Sequence, residues 1–477
     1  MLNLEKMDRV IAYLKNKAPK ERQLTLGETV EVALNLGVKV SEVVLGEVAC
    51  YENKKPEEVL HEIKKAFEHN LKAAILGSQY EAQSFLLNKV GADLAQGEAK
   101  ITEDTFLNQA ITFTLAAQVG NHIVGLAPCA GTGDACVFTG VVKALLDHYP
   151  EEKVWPAVGV MLKAGVMFRA GKVTTGCNME GLGAGATGTA AALAEIEGGS
   201  PRQVEHAMVL ALSPTIAVPC TPRVLVPGLC ATHIGGAVLL GYLAARLALA
   251  TSLPVNVPID VMLALAAEAH KISATSIVPA VVRYMEPYFK RDPRVDQYLL
   301  PETKEIEYKR QQETADFARK QAEELARLAS PITRPFGEVV VGGSSQAVGS
   351  PTNTARIAHA LAKGEIKKVK IELYPELFAR RAINVPGILM GAVLGASTAN
   401  SEAYNRIMDE IIARGIEVVI LEVKEPQVQR VTIEATERNA MVHALNRGGG
   451  RLALVDAYPS LDEARKMAAS LGIEIVP

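Results

Sequence analysis

Apolar positions in the first hundred residues recur at helical spacing. Thr25 with Glu28 three residues later has the form of a capping box, and the Val, Ala and Leu positions that follow run on to Leu36. Lys55 to Leu76 repeats apolar residues at steps of three and four, which predicts a second amphipathic helix. From about Glu103 to Tyr288 the two-faced pattern fades into an apolar, Ala- and Gly-rich texture. Prolines at 128, 156, 201, 214, 219, 222, 227, 254, 258 and 279 interrupt it, so this stretch reads as buried helices joined by tight loops. Gly235–Leu253 is about long enough to cross a bilayer, but it carries Arg246 and many small residues and reads as a buried helix.

The texture changes at Pro301. TKEIEYKRQQETADFARKQAEELARLA is highly charged and free of Gly and Pro, which predicts an exposed helix joining two domains. Beyond Pro331, β-rich runs fall at Val339–Val341, Val369–Leu373, Val418–Val423, Val431–Ala435 and Leu452–Val455. Helical stretches lie near Thr354–Ala362, Ser401–Arg414 and Ser460–Leu471. The expected organisation is a large helical domain over 1–300, a charged helical connector over 301–330 and a small α/β domain over 331–477, giving an α + α/β fold class. No internal repeat and no low-complexity tract interrupts it.

Composition narrows the class. Fifty Lys and Arg stand against 53 Asp and Glu, a formal net charge of −3, with no charged block of the kind that binds nucleic acid or an anionic membrane. Hydrophobic residues make up 49% but aromatics only 5%, with Trp155 the single tryptophan, so the core must be built from Ala, Val, Leu and Ile. Small side chains let helices pack closely, and part of so apolar a surface is expected to be covered in a homo-oligomer. Six cysteines are too few for a disulfide scaffold, and the opening MLNLEKMDRV lacks an apolar signal core. Both points favour a cytoplasmic protein.

All six cysteines lie between Cys50 and Cys230. Cys177 sits in TTGCNMEGLGAGATG, and Cys220 and Cys230 in VPCTPRVLVPGLC, where glycines admit a bulky group and prolines stiffen the loops. Soft thiolates in such loops suit an iron–sulfur cluster or zinc, although the spacing argues against a zinc ribbon or finger because the chain has no Cys-x2-Cys pair. The competing reading is three small buried core thiols. Cys129 and Cys136 bracket Gly131 and Gly133 in APCAGTGDAC, a stretch that serves either packing or anion binding by backbone amides at a helix start. Cys50 reads as structural, and His122 as a satisfied core histidine.

These segments resemble the alpha chain of the iron–sulfur-dependent L-serine dehydratases. The resemblance runs from the N-terminal helices to about Tyr288, and the block from Gly337 onward is similar to the beta chain of the same enzymes, in reverse of the usual fused order. In that family one cysteine in a Gly-rich loop is followed about forty residues later by two more with ten residues between them; here nine residues lie between Cys220 and Cys230. The resemblance implies that Cys177, Cys220 and Cys230 hold three irons of a [4Fe-4S] cluster and leave the fourth open to substrate. Some members close that position with a C-terminal cysteine, whereas this sequence ends IEIVP.

The beta-like part departs from the pattern. The family's Ser-Ser-Ser-His-Thr is Gly343-Ser344-Ser345-Gln346-Ala347 here, and its Gly-His-Gly-Thr-Asp falls opposite Ile383 to Gly387. Its His-Pro-Asn-Thr becomes Glu425-Pro426-Gln427-Val428, while Gly448, Gly449 and Gly450 persist. In the alpha-like part the usual Thr-Pro-Thr turn is Ala127-Pro128-Cys129.

The implied chemistry is Lewis-acid dehydration of a small hydroxylated carboxylate, L-serine by resemblance, giving pyruvate and ammonia. Glu180 and His233, each three residues beyond a proposed cysteine ligand, are candidates for the base that takes the α-proton; ligand orientation and loop packing are the competing roles. Lys271 is a candidate for the substrate carboxylate, against a reading as a solvated surface lysine. Asn178, Gly131, Gly133, Ser344 and Ser345 are candidate substrate contacts, the serine pair competing with an ordinary serine turn. One rival keeps the cluster but releases sulfide, as in cysteine desulfidases. Another is a non-catalytic binding or regulatory homologue.

Overall fold

A computed structural model of the chain describes all residues except 1–3, 18, 20, 99, 128–133, 171–179, 219–228, 289–290, 330 and 334–337. The chain divides into two compact units, Met1–Glu324 and Leu325–Pro477.

The first unit is helical: α1 (Leu4–Lys17), α2 (Leu26–Leu36), α3 (Val40–Glu52), α4 (Pro56–Gly77), α5 (Val90–Gln96), α6 (Thr105–Val124), α7 (Asp134–His148), α8 (Glu151–Ala170), α9 (Gly185–Ile196), α10 (Pro201–Leu212), α11 (Ile234–Ala250), α12 (Ile259–Ile272), α13 (Val278–Met285), α14 (Pro293–Asp296) and α15 (Pro301–Leu328), which runs across the division. The expected capping box forms. Thr25 Oγ1 accepts the Glu28 amide at 3.0 Å, and the Glu28 carboxylate accepts the Thr25 amide at 2.8 Å. A long helix also covers the Lys55–Leu76 prediction, with Pro56 in its first turn.

Small residues set the spacing of the bundle. A Cβ on Gly77 of α4 would lie 1.9 Å from the Ala116 carbonyl oxygen of α6, and one on Gly120 of α6 would lie 2.0 Å from the Ala73 carbonyl oxygen. The two backbones therefore touch, which is how a chain with 5% aromatics still makes a tight core. Two stretches, Ala231–Ala250 and Ile259–Tyr288, are long and apolar enough to cross a membrane by length and composition. The first packs one face on the bundle: α11 buries Ile234, Ala237, Val238, Gly241, Ala244 and Ala245 against its neighbours, while Leu239 and Leu243 are exposed, so the helix is half-buried and not the buried one expected.

Close contacts fix the helix directions. Cys136, Gly140 and His148 of α7 meet Gln118, Thr114 and Gln109 of α6 in reverse order, so the pair is antiparallel. Val137 and Phe138 of α7 meet Gly185 and Gly188 of α9, and Gly185 and Thr189 meet Ala237 and Gly241 of α11, so α7, α9 and α11 run parallel. The connections from α6 to α7, α8 to α9 and α10 to α11 consequently open at one end of the bundle.

The second unit has α16 (Ser350–Leu361), β1 (Ile366–Leu373), α17 (Pro375–Ala379), α18 (Arg381–Leu394), α19 (Ser401–Ala413), β2 (Glu417–Glu422), β3 (Val428–Ala435), β4 (Ala440–Asn446), β5 (Leu452–Tyr458) and α20 (Leu461–Ser470). The sheet order is β2-β1-β3-β4-β5, with β1 and β2 parallel and the other pairs antiparallel. Helix α16 packs on β3 and β4, and α18 packs on α16. Val339–Val341 is not a strand. It runs into a tight turn in which Gly342 and Gly343 both have positive φ, and Val339 is exposed.

Candidate functional site

The three parallel helices bring their starts together. A Cβ on Gly185, at the head of α9, would lie 3.0 Å from Val137 Cγ2 in the first turn of α7 and 3.1 Å from Ala237 Cβ in the first turn of α11. Their macrodipoles thus point positive ends at one place, a setting that favours anionic groups and thiolates. α9 and α11 are each preceded by a π-turn, Glu180–Ala184 and Leu229–His233. Such turns are uncommon and gather at functional sites.

Three of the predicted residues have described backbone at this end. Cys230 and His233 occupy the π-turn ahead of α11, and Glu180 opens the π-turn ahead of α9. The side chains of Glu180 and Cys230, and all of Gly131, Gly133, Cys177, Asn178 and Cys220, lie outside the described residues. His233 is half-buried. Lys271 is exposed on the outer side of α12. Its neighbour His270 is only 3% exposed and continues the buried series Ile259, Met262, Ala266. Ser273, one turn further and also buried, donates its hydroxyl to the Ala217 carbonyl at 3.4 Å, just ahead of the Cys220 loop. The 3–4 spacing of that series is the signal in the sequence that picks His270 over Lys271 as the inward-facing residue.

Other side chains secure the start of the Gly-rich loop. Asn70 of α4, 1% exposed, accepts the Ala127 amide at 2.8 Å and donates to the Ala127 carbonyl. Asn121 Oδ1 accepts the Leu126 amide at 2.9 Å. His122, expected as a plain core residue, has both ring nitrogens in side-chain contacts: Ser84 Oγ lies 2.5 Å from Nδ1 and the Gln118 amide 2.8 Å from Nε2. His122 is exposed rather than a core residue, although the protein around its ring still desolvates the imidazole and pushes it below the usual range. Among the described residues no group of three or more His, Cys, Asp or Glu is placed to hold a metal ion.

In the second unit, Ser344 caps a π-turn (Ser345–Gly349), its Oγ accepting the Ala347 amide at 3.1 Å. Ser345 is half-buried beside it, and Gln346 accepts a bond from Asn446 on its backbone carbonyl at 2.7 Å. Ile383–Gly387 lies inside α18, where Asn384 is buried and donates to the Leu377 carbonyl at 2.7 Å. A Cβ on Gly387 would meet Val348 and Thr352 at 2.5 and 2.9 Å, so this stretch is used for packing against α16.

Connections that open together at the converging helix starts of an all-helical unit form an end where a small molecule can be held. The family described as serine dehydratase alpha chain matches residues 35–280, just over half of the sequence, and the chain belongs to that family. It is a serine dehydratase-like lyase of amino-acid metabolism acting on a small molecule. No curated protein matches the chain.

Proposed function

We propose that the protein is a [4Fe-4S]-dependent lyase that eliminates water, and then ammonia, from L-serine or a related small hydroxylated carboxylate. One observation carries this reading: in a chain of the serine dehydratase alpha family, the connections bearing Cys177, Cys220 and Cys230 lead into helix starts that meet at Gly185 and Ala237. Soft thiolates on glycine-flanked loops are the donor chemistry such a cluster takes. Cys177, Cys220 and Cys230 would hold it. When bound, the cluster supplies a Lewis-acidic iron that makes hydroxide a better leaving group.

The chain's own groups do the rest. His233 or Glu180, each at a π-turn beside a cysteine ligand, takes the α-proton. The backbone amides around Gly131 and Gly133 and the side chain of Asn178 hold the carboxylate. Lys271 would serve that carboxylate only from the exposed outer side of α12. Ser344 and Ser345 are proposed as substrate contacts. Loss of the α-proton and of the β-hydroxyl as water leaves 2-aminoacrylate, which tautomerises to the imine and takes up water to release pyruvate and ammonia. We place the enzyme in the cytoplasm as a homo-oligomer.

The test is an anaerobic screen of L-serine, L-threonine, L-cysteine and small hydroxy acids for oxo acid, ammonia and sulfide. Pyruvate and ammonia in equal amounts from L-serine are expected. Sulfide from L-cysteine with no turnover of any hydroxylated carboxylate would overturn the reading.

A further inference from the structure

Ser84 and Asn88 close a short turn by exchanging backbone bonds of 2.8 and 2.9 Å. Ser84 is 1% exposed, and its Oγ accepts the amides of Leu86 at 3.1 Å and Leu87 at 3.0 Å. A hydroxyl oxygen has two lone pairs, and both are now used, so the Ser84 proton must be donated, to His122 Nδ1 at 2.5 Å. His122 is thereby held as the neutral tautomer with hydrogen on Nε2.

The only polar group facing Nε2 among the described hydrogen bonds is the Gln118 amide, one helical turn back at 2.8 Å; its other end lies 2.7 Å from Cys136 Sγ. Amide oxygen and nitrogen exchange places by a half-turn. In the structure the nitrogen faces His122 and the oxygen accepts from the Cys136 thiol; the half-turn puts oxygen toward the Nε2 hydrogen, and in either orientation the contacts run unbroken from Ser84 through His122 and Gln118 to Cys136.

Both ends of the chain of bonds reach the proposed site. Leu86 and Leu87 of the Ser84 turn belong to a small cluster with Ala82 and Val119 against which Ala231 packs, the residue after Cys230. Cys136 lies fully buried in the first turn of α7, directly after the Gly-rich loop. We propose that His122 is a positioning residue that ties the Cys230 turn, through Ser84, to the start of α7, through Gln118 and Cys136, and so fixes the spacing of two loops of the active site. It acts in the elimination reaction proposed above and rests on that reading for its catalytic consequence, but not for the spacing itself.

Amide hydrogen exchange on the full chain tests the spacing, using His122→Ala, His122→Asn and His122→Gln. Asparagine places an acceptor where Nδ1 stands, and glutamine reaches the position of Nε2. His122→Ala should speed exchange about tenfold, the loss of roughly one hydrogen bond, at 84–88, 229–233 and 134–138. His122→Asn should restore 84–88 and 229–233 but not 134–138, and His122→Gln the reverse. If His122→Ala does not fold, the two conservative variants decide alone. Exchange at 229–233 and 134–138 that matches wild type in every variant that folds, or identical profiles for Asn and Gln, would overturn the proposal.

With the substrate that wild type turns over, kcat of His122→Ala should fall about tenfold while KM stays within about threefold, because the residue orders the site without touching substrate. An unchanged kcat would likewise overturn it. A wild-type protein without lyase activity would refute the proposed function and leave the exchange experiment to judge the positioning role.

Discussion

Gly120→Ala is the perturbation that most directly probes the packing on which the site depends. The added methyl would stand 2.0 Å from the Ala73 carbonyl oxygen and 2.7 Å from its carbon. Backbone cannot swing aside as a side chain can, so α4 and α6 must move apart. Overpacking of this kind costs about 3 kcal/mol at the upper end of its usual range. Replacing a mid-helix glycine returns up to about 1 kcal/mol of helix propensity, leaving a net loss of about 2 kcal/mol. Gly159→Ala is the matched control. It too is buried mid-helix, in α8, but its methyl would meet Ile63, Leu45 and Val44 at 3.7 to 3.9 Å, ordinary contact distances, so it should stabilise by up to about 1 kcal/mol. Trp155, the single tryptophan, lies 7% exposed in the helical unit and reports the unfolding of that unit in urea. Gly120→Ala should lower the midpoint and Gly159→Ala raise it. Equal midpoints for the two variants, or a Gly120→Ala protein as stable as wild type, would refute the claim that α4 and α6 are in backbone contact.

Three further outcomes follow from charged groups. Lys163 and Glu47 pair at 2.7 Å with side chains 4% and 3% exposed, so Lys163→Met strands a buried carboxylate and should cost about 3–5 kcal/mol in the same urea assay, with Lys163→Met/Glu47→Leu recovering most of it. The Arg22 guanidinium, bonded to both Glu28 oxygens at 2.6 and 2.7 Å, holds that carboxyl down at about 2. Its folded value lies below its unfolded one, so the stability it contributes is present above about 4.5 and lost as pH falls toward 2; Glu28→Gln should flatten that part of a pH–stability curve. Burial pushes Glu195 the other way, against the Ser41 amide that it accepts at 3.1 Å. Stability is then lost as pH rises above 4.5 through the raised folded value, so Glu195→Gln should gain stability at neutral pH and none well below 4.5.

Much of the fold could be read from pattern because its signals are local. The Thr25–Glu28 box, the helix after Pro56 and the charged helix from Pro301 depend on residues within a few positions of each other, and all three form. β4 escaped notice because AMVHALN has no β-branched run, although its burial alternates strictly along the strand. Val339–Val341 had the β-branched residues, but the glycines that follow turn the chain away. The proposed site is read from the cysteine loops, whereas the contacts among the described residues nearby were not legible. Ser84 and His122 are 38 residues apart, and Asn70 and Ala127 are 57 apart. Their meeting depends on α4 and α6 touching at Gly77 and Gly120, a tertiary fact that no local period encodes. His270 is the exception, since its place in a 3–4 apolar series was visible beside the more conspicuous Lys271.

The central claim is that three cysteine-bearing loops at one end of the bundle hold an iron–sulfur cluster. Iron and acid-labile sulfide should be counted in protein purified without oxygen, for wild type and for Cys177→Ser, Cys220→Ser and Cys230→Ser. About four irons and four sulfides per chain in a brown wild-type protein, with loss of colour and iron in each variant, is the expected result. A colourless wild-type protein carrying zinc or no metal, or variants that keep the full iron content, would contradict it.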